Sequence, residues 1–568
     1  ADLNAVRNNL SAYYKQIADI DLSGYNWIPI GDYDNPFTGY YDGNNCKITN
    51  LMIDKSDAGD EVSFIGLFGV VKNATFKNLT ISNASIILPT NEDLYCYSIG
   101  CLIGSIRDVT QSVLIENCHI IKSNIAGTND NTDAVAALIG EISQFREGAE
   151  QSRVTVKNCS TQQVQIKGSY YIGLLIGNIL NDYYLTLIIE DCSCVGAIDG
   201  VWALGGLIGE LYNRFGILLD VYISRCKTEI DIYTPASFSS GCIGGIIGDC
   251  DVGTQQLTIK ECCTYGSIDA PDTYAVGGFI GYISAYGTTP ALIENCYAKV
   301  DITSDPDVGW NIGGFIGVIY YRTSDEDLIV TNCYAAGVLP YILDDGGGGF
   351  VGNPSWAHLT VVNCYYNSTL SGYSDTGKGE PRTTEQMTYP YDDNTYIGWD
   401  FENVWAHDAD GSLNDGYPIL RWQLPQITWV DSELKEIPIM WQSIEFIAPV
   451  KEDAEILTAK YRIVTNDIGG YFDNLGFFIN LSNEKVTRSE KVFLPIPRIR
   501  QGEIREFPVF GAVQEVQIVA AHIMFKETVT GNNSNYVQLQ LVNKESDEII
   551  STLTFLEDIN AASYEVIS

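Results

Sequence analysis

Basic charge is scarce in this 568-residue chain: 33 Lys and Arg stand against 72 Asp and Glu, a formal charge of −39. A polyanion of that kind is repelled by nucleic acid phosphates and anionic membrane surfaces, so neither is expected as a partner. Histidine is scarcer still, at four residues. None of His119, His358, His407 and His522 is followed by Glu, which excludes the H-E-x-x-H helix of zinc peptidases. No apolar run approaches the roughly 18 residues a membrane helix needs. C-x-x-C, the P-loop, the dinucleotide fingerprint and the G-x-S-x-G elbow are all missing. Cysteine, at 15 in total, is absent after Cys364. An odd count and a regular spacing argue against a disulfide framework.

What is present repeats. Nine apolar, glycine-rich phrases run from FIGLFG (64–69) through IGCLIG, AALIG, IGLLIG, LGGLIG, IGGIIG, VGGFIG and IGGFIG to GGFVG (348–352). Their final glycines, Gly69 to Gly352, are spaced by 32 to 39 residues. Between them a second phrase ends in cysteine: Cys118, Cys159, Cys192, Cys226, Cys262, Cys296, Cys333 and Cys364. Apolar residues alternate on either side of that cysteine, as in Leu257/Ile259 and Ala298/Val300/Ile302, the period of a half-buried strand. The parity changes just before the cysteine, so the chain must bend there. Asn117, Asn158, Asn295, Asn332 and Asn363 occupy the bend, and Asn tolerates left-handed backbone. Asp191, Arg225 and Glu261 depart from it, so the corner is expected as a preference and not a requirement.

Short strands, corners and a fixed period describe an all-β solenoid of about 35-residue coils, a parallel β-helix with equivalent residues stacked in columns. The cysteines are expected to form an interior column of small buried hydrophobes. The glycines are expected to admit tight turns and close backbone approach. Leu3, Val6 and Leu10 have helical spacing and would cap the first coil; residues 370–425, rich in Tyr, Trp, Gly and Asp, would close the far end. After Gln426 the repeat stops. Alternating segments such as EILTAKYRIV and YVQLQLV, separated by turn residues, predict a β-sandwich over 426–568.

The repeat resembles the Gly-Leu-any-Gly (GLUG) motif of bacterial surface proteins and of the non-catalytic repeat region of immunoglobulin A peptidases. YYKQIADIDLSGYNWIPIG (13–31) with FTGYYDGNNCKITNLMI (37–53) is similar to that family's opening, and PRTTEQM, GWDFENVW and NDGYPILRWQ to its closing phrases. The resemblance covers residues 1–425. It implies a right-handed hand for the β-helix and a cell-surface or secreted protein of a Bacteroides-type organism, most often an adhesin. The chain opens at Ala1-Asp2-Leu3 with no signal peptide or lipoprotein anchor in it, so that location rests on the resemblance alone.

Three groups of residues are candidates for chemistry. Glu141, Asn178, Glu210 and Asp249 directly follow four consecutive glycine phrases. Glu210 and Asp249 would lie about 5 Å apart, near the spacing of a retaining glycosidase pair, and the row could also ligate a hard cation. The bland alternative is a solvated acidic stripe. Tyr97, Tyr170, Trp202, Tyr274 and Trp310 precede the phrases at a fixed offset. They form either a platform for sugar rings or a partner protein, or a packed column at a corner. Tyr297, Tyr334 and Tyr365, beside the cysteines, are expected to face outward. Finally, HDADGSLNDG places Asp408, Asp410 and Asp415 as in the start of a calcium loop, without its distal Glu; a turn is the alternative.

Two functions follow. The first is a non-catalytic adhesin, monomeric, that binds host or dietary glycan or protein along the solenoid side and needs no cofactor beyond possible Ca2+. The second is a carbohydrate-active β-helix, a polysaccharide lyase or glycoside hydrolase, using the acidic column.

Overall fold

The chain divides into two compact units, residues 1–426 and 427–568. The structure, a computed structural model, describes residues 3–127, 131–146, 152–213, 219–235, 241–252, 254–285, 290–305, 311–320, 328–342, 346–354 and 359–424 of the first unit, and eight strands between 440 and 555 of the second. In the first unit one parallel sheet of 24 strands winds along the molecule beside two parallel sheets of nine strands each. The chain is all-β, and this unit is a parallel β-solenoid.

Each coil passes through the same stations. In one coil Thr254–Lys260 lies on the 24-stranded sheet, bends at Glu261-Cys262, and continues on that sheet as Cys263–Asp269. Ala275–Gly277 then joins one nine-stranded sheet, and Ile280–Ala285 joins the other after a two-residue corner. Thr264 pairs with Ala298 of the next coil, Val276 with Ile312, and Ile280 with Ile316.

All eight residues before the column cysteines are left-handed, with φ from 50° to 56°. That includes Asp191, Arg225 and Glu261. The corner is thus obligatory, and only the choice of Asn is a preference. Behind it the eight cysteines are buried, at 0–1% exposure, and all are free thiols. Each Sγ meets the carbonyl two residues earlier, as at Lys260 (3.2 Å), Glu294 (3.2 Å) and Thr331 (3.2 Å). The backbone N–H of Cys262 donates to Cys296 Sγ and that of Cys296 to Cys333 Sγ, at 3.4 and 3.3 Å. Sulfur therefore fills the bend and satisfies backbone groups there.

The glycine phrase works by close approach. A Cβ at Gly205 would sit 1.8 Å from the Ile208 carbonyl oxygen, and one at Gly248 would sit 2.6 Å from Leu204 N. The two nine-stranded sheets can meet at this corner only if the side chain is absent. None of these glycines has positive φ; the left-handed residues Phe64, Ser98, Ala134, Tyr171 and Ala203 lie within the strands that lead into the corner.

On the outer face of the large sheet, Lys77, Glu116, Lys157, Glu190, Ser224, Lys260 and Glu294 are successive register partners. Ion pairs link Lys77–Glu116 (2.7 Å), Lys157–Glu190 (3.2 Å) and Lys260–Glu294 (2.8 Å). Exposed pairs add little stability, yet a slip by one coil would set like charges side by side.

At the first coil, Leu3–Asn8 is a 3-10 helix and not an α-helix. Three residues per turn bring Leu3 and Val6 onto one face, and both are buried. The far end also differs from expectation. Glu380–Arg382 adds a strand to the last coil, and Tyr366 and Gly379 pack at Gly349 and Phe350. The residues that follow do not stay at the end. They turn back along the flank: Trp405 Nε1 reaches Asn295 Oδ1 (3.2 Å), Trp422 Nε1 reaches the Glu261 carbonyl (2.9 Å), and Gln423 reaches Cys263 Sγ (3.1 Å). Tyr297, Tyr334 and Tyr365 point away from the core but are covered by this segment, at 0%, 0% and 3% exposure. The flank is more apolar than open solvent allows, and Met387, Tyr396, Trp399, Trp405, Tyr417 and Leu420 complete it.

The second unit contains two antiparallel sheets of four strands each. Among the described residues no helix is long and apolar enough to cross a membrane.

Candidate functional site

The residue after each final glycine belongs to one row on the second nine-stranded sheet. Register pairs Ser105 with Glu141, Glu141 with Asn178, Asn178 with Glu210, Glu210 with Asp249, and Asp249 with Tyr282. Neighbouring backbones in such a row lie about 4.8 Å apart. The row is no solvated stripe: Glu141 and Asn178 are 8% and 7% exposed, and Glu210 and Asp249 are half-buried. It packs beside the left-handed strand residues of the neighbouring sheet. The Ser98 hydroxyl donates to Glu141 Oε2 at 2.9 Å.

Counter-charge is supplied to one member. Arg107 comes within 3.8 Å of Glu141, held over the rings of Tyr33, Phe64 and Phe145. Glu210 and Asp249 have a different setting. Burial pushes Asp249 up to about 7, with the charge of Asp251 adding to it and a hydrogen bond from Cys242 opposing it. Burial also holds Glu210 well above its usual range, followed by the charges of Asp249, Asp251 and Asp133. Asp133, on the facing sheet, is pushed up to about 6 by burial. The phenols of Tyr171 and Tyr282 rise by burial and then by these same acids. A pair so placed holds a proton between its members or takes up a cation; both relieve the same repulsion.

Asp133, Asp251, Tyr171 and Tyr282 were not singled out in the sequence. Asp133 had a readable signal, since it stands at the offset occupied elsewhere by Tyr97 and Tyr170. That position is therefore no continuous aromatic platform: register runs Tyr97, Asp133, Tyr170, Trp202. Among the described residues only Tyr170 and Trp202 are neighbours in this row, and with Tyr97 and Tyr274 they are half-buried. The Tyr97 hydroxyl donates to Glu61 at 2.8 Å. Trp310 lies outside the described residues.

The Asp408 segment forms a turn. Asp408 is 2% exposed and accepts from the backbone N–H groups of Leu413, Asn414 and Gly416. Asp410 accepts from Ser412 N, and Asp415 pairs with Lys299 at 2.8 Å. Among the described residues no three His, Cys, Asp or Glu side chains are gathered as metal ligands. A separate groove of about 370 Å3 opens on the large sheet, lined by Tyr222, Ser224, Gln256, Thr258, Lys260 and Leu292.

A family model described as "The GLUG motif" matches residues 272–303, which include the VGGFIG phrase and the Cys296 strand. Over 464 residues the chain is 27% identical to a protein of Evansella cellulosilytica named "Putative Gly-rich membrane protein", covering 77% of this chain and 46% of that one. Over 403 residues it is 30% identical to the halomucin of Haloquadratum walsbyi, covering 62% of this chain and 4% of that one. The chain thus spans less than half the length of either relative. Neither is an immunoglobulin A peptidase or a Bacteroides adhesin. No solved structure matches.

Proposed function

We propose that the protein is a non-catalytic, cell-surface or secreted module whose solenoid presents a long rigid side to a glycan or protein ligand. The carrying observation is the coil-on-coil register, which stacks side chains in rows along the described coils and is shifted only locally, at Thr161/Val164 and at Leu219/Asp220, among the described residues. The names of the relatives, "Putative Gly-rich membrane protein" and halomucin, support a place at the cell surface. The Tyr222–Lys260 groove and the neighbouring rings of Tyr170 and Trp202 are the contact points that suit sugar rings. The two sheets of residues 427–568 act in this reading as a β-sandwich that spaces or binds.

A glycosidase working on the Glu210/Asp249 pair is disfavoured by electrostatics. A retaining enzyme keeps one carboxylate ionised as nucleophile beside a protonated acid. Here burial and acidic neighbours raise both groups, and Arg107 serves Glu141 instead. Binding to arrays of glycans and surface proteins tests the proposal. A specific ligand whose binding weakens with Tyr222→Ala or Trp202→Ala supports it. Binding no better than that of an unrelated acidic protein, or cleavage of a glycan abolished by Glu210→Gln, would overturn it.

A further inference from the structure

We propose that Asn178, Glu210 and Asp249 form a seat for one hard divalent cation of the calcium class, held on the glycine corner. The inference goes beyond the binding reading and does not depend on it. Three successive coils bring one amide and two carboxylates into a single row. The donors are all oxygen, which suits calcium, magnesium or manganese and not the soft metals.

The second observation is a set of oxygens without donors. Asn178 is 7% exposed, and its buried Oδ1 has no hydrogen-bond partner. Asp249 Oδ1 is likewise buried and unpartnered. A buried acceptor left unpaired costs free energy, and native proteins rarely leave several together. A proton on one carboxyl would serve a single acceptor. A cation between the rungs serves carboxylate and amide oxygens together, with water completing its shell. The seat needs fewer than three charged ligands from the protein, which is consistent with the lack of any larger cluster of His, Cys, Asp and Glu among the described residues.

The surroundings also favour a positive guest. Asp251 lies on the same strand as Asp249, and Asp133, Tyr171 and Cys242 face the row from the neighbouring sheet. Among the described residues no Lys or Arg is among the charges acting on Glu210 or Asp249. The row differs in this from its acidic member Glu141, which has Arg107 within 3.8 Å. Arg107 shows what the corner does with an acid when a cationic side chain is at hand. Two to three coils further on no such side chain is supplied, and a free ion takes that role.

The test uses the protein as it stands, at about 0.15 M salt, where diffuse attraction of ions to surface acids is screened. Terbium(III) is titrated in with tyrosine excitation, since Tyr171 and Tyr282 stand beside the acids; Ca2+ then competes for the site. Expected is saturable, Ca2+-displaceable emission, weakened roughly tenfold or more by Glu210→Gln with Asp249→Asn. Asn178→Leu keeps the charge unchanged and is expected to weaken Ca2+ competition as well. Asp408→Asn is expected to leave it unchanged. Wild-type protein without saturable emission, acid variants that bind as well as wild type, or loss confined to Asp408→Asn would overturn the proposal. Should the double acid variant fail to fold by circular dichroism, Asn178→Leu decides alone, and unaltered competition there counts against the seat.

Discussion

Two columns share one period in this solenoid and solve burial in opposite ways. The cysteine column is nearly sealed, and every sulfur is engaged with a neighbouring backbone group. The acidic row after the glycine corner is also largely buried, yet it leaves oxygens of Asn178 and Asp249 without donors. A thiol is a weak donor and acceptor that tolerates a dry interior. A carboxylate does not, and its burial stores repulsion unless a counter-charge arrives. The first column builds the wall, and the second is where the wall can respond to its surroundings.

The contrast can be broken or sharpened by substitution, and the effects should fall in order. Gly205→Val should be the most severe. Its Cβ would stand 1.8 Å from the Ile208 oxygen, so the corner cannot close. A loss above about 5 kcal/mol, seen as an absence of cooperative unfolding, is expected. Next comes Trp405→Ala, which uncovers Tyr297 and Tyr334 on the flank. A loss of about 3–5 kcal/mol in denaturant and cleavage of 384–424 by protease would show it.

The acidic row should make stability depend on pH. The folded pKa of Asp249 is raised to about 7 from 3.8, and that of Glu210 is raised well above 4.5. Both therefore favour the folded state fully below their unfolded values, and that contribution is lost as pH rises through the folded ones. With chelator present, thermal stability should fall between pH 4.5 and pH 8 by on the order of 3 kcal/mol. Asp249→Asn should flatten that slope. Smallest is Cys296→Ala, expected to cost about 1–2 kcal/mol through the space left at the bend. A reductant should leave the melting temperature unchanged, because the thiols are free.

Much of this was legible in the sequence because a solenoid turns repetition into geometry. The Asn-Cys bend, the interior sulfur and the pairing of Glu210 with Asp249 all follow from counting along the chain. What counting misses is contact between segments far apart in sequence. Tyr297 and Tyr334 read as outward-facing, and they are, but Trp405 and Tyr417, 108 and 83 residues further along the chain, return to cover that flank. The depth of the acidic row was equally hidden. Whether Glu210 meets water depends on the close crossing of two sheets that the glycines permit, and on Asp133 and Tyr171 facing it. Local spacing cannot report that packing.

The whole account rests on coils that stack one register step at a time. Leu114, Tyr222, Leu292 and Ile329 occupy one outer row, and Ile329 stands six steps from Leu114. Spin labels introduced at position 114 and at 222, 292 or 329 through a non-canonical amino acid, leaving the native thiols alone, measure this directly. Separations should grow by about 4.8 Å per coil, to roughly 29 Å for the 114/329 pair. Separations that do not lengthen with the number of intervening coils would contradict the stacked solenoid and everything placed upon it.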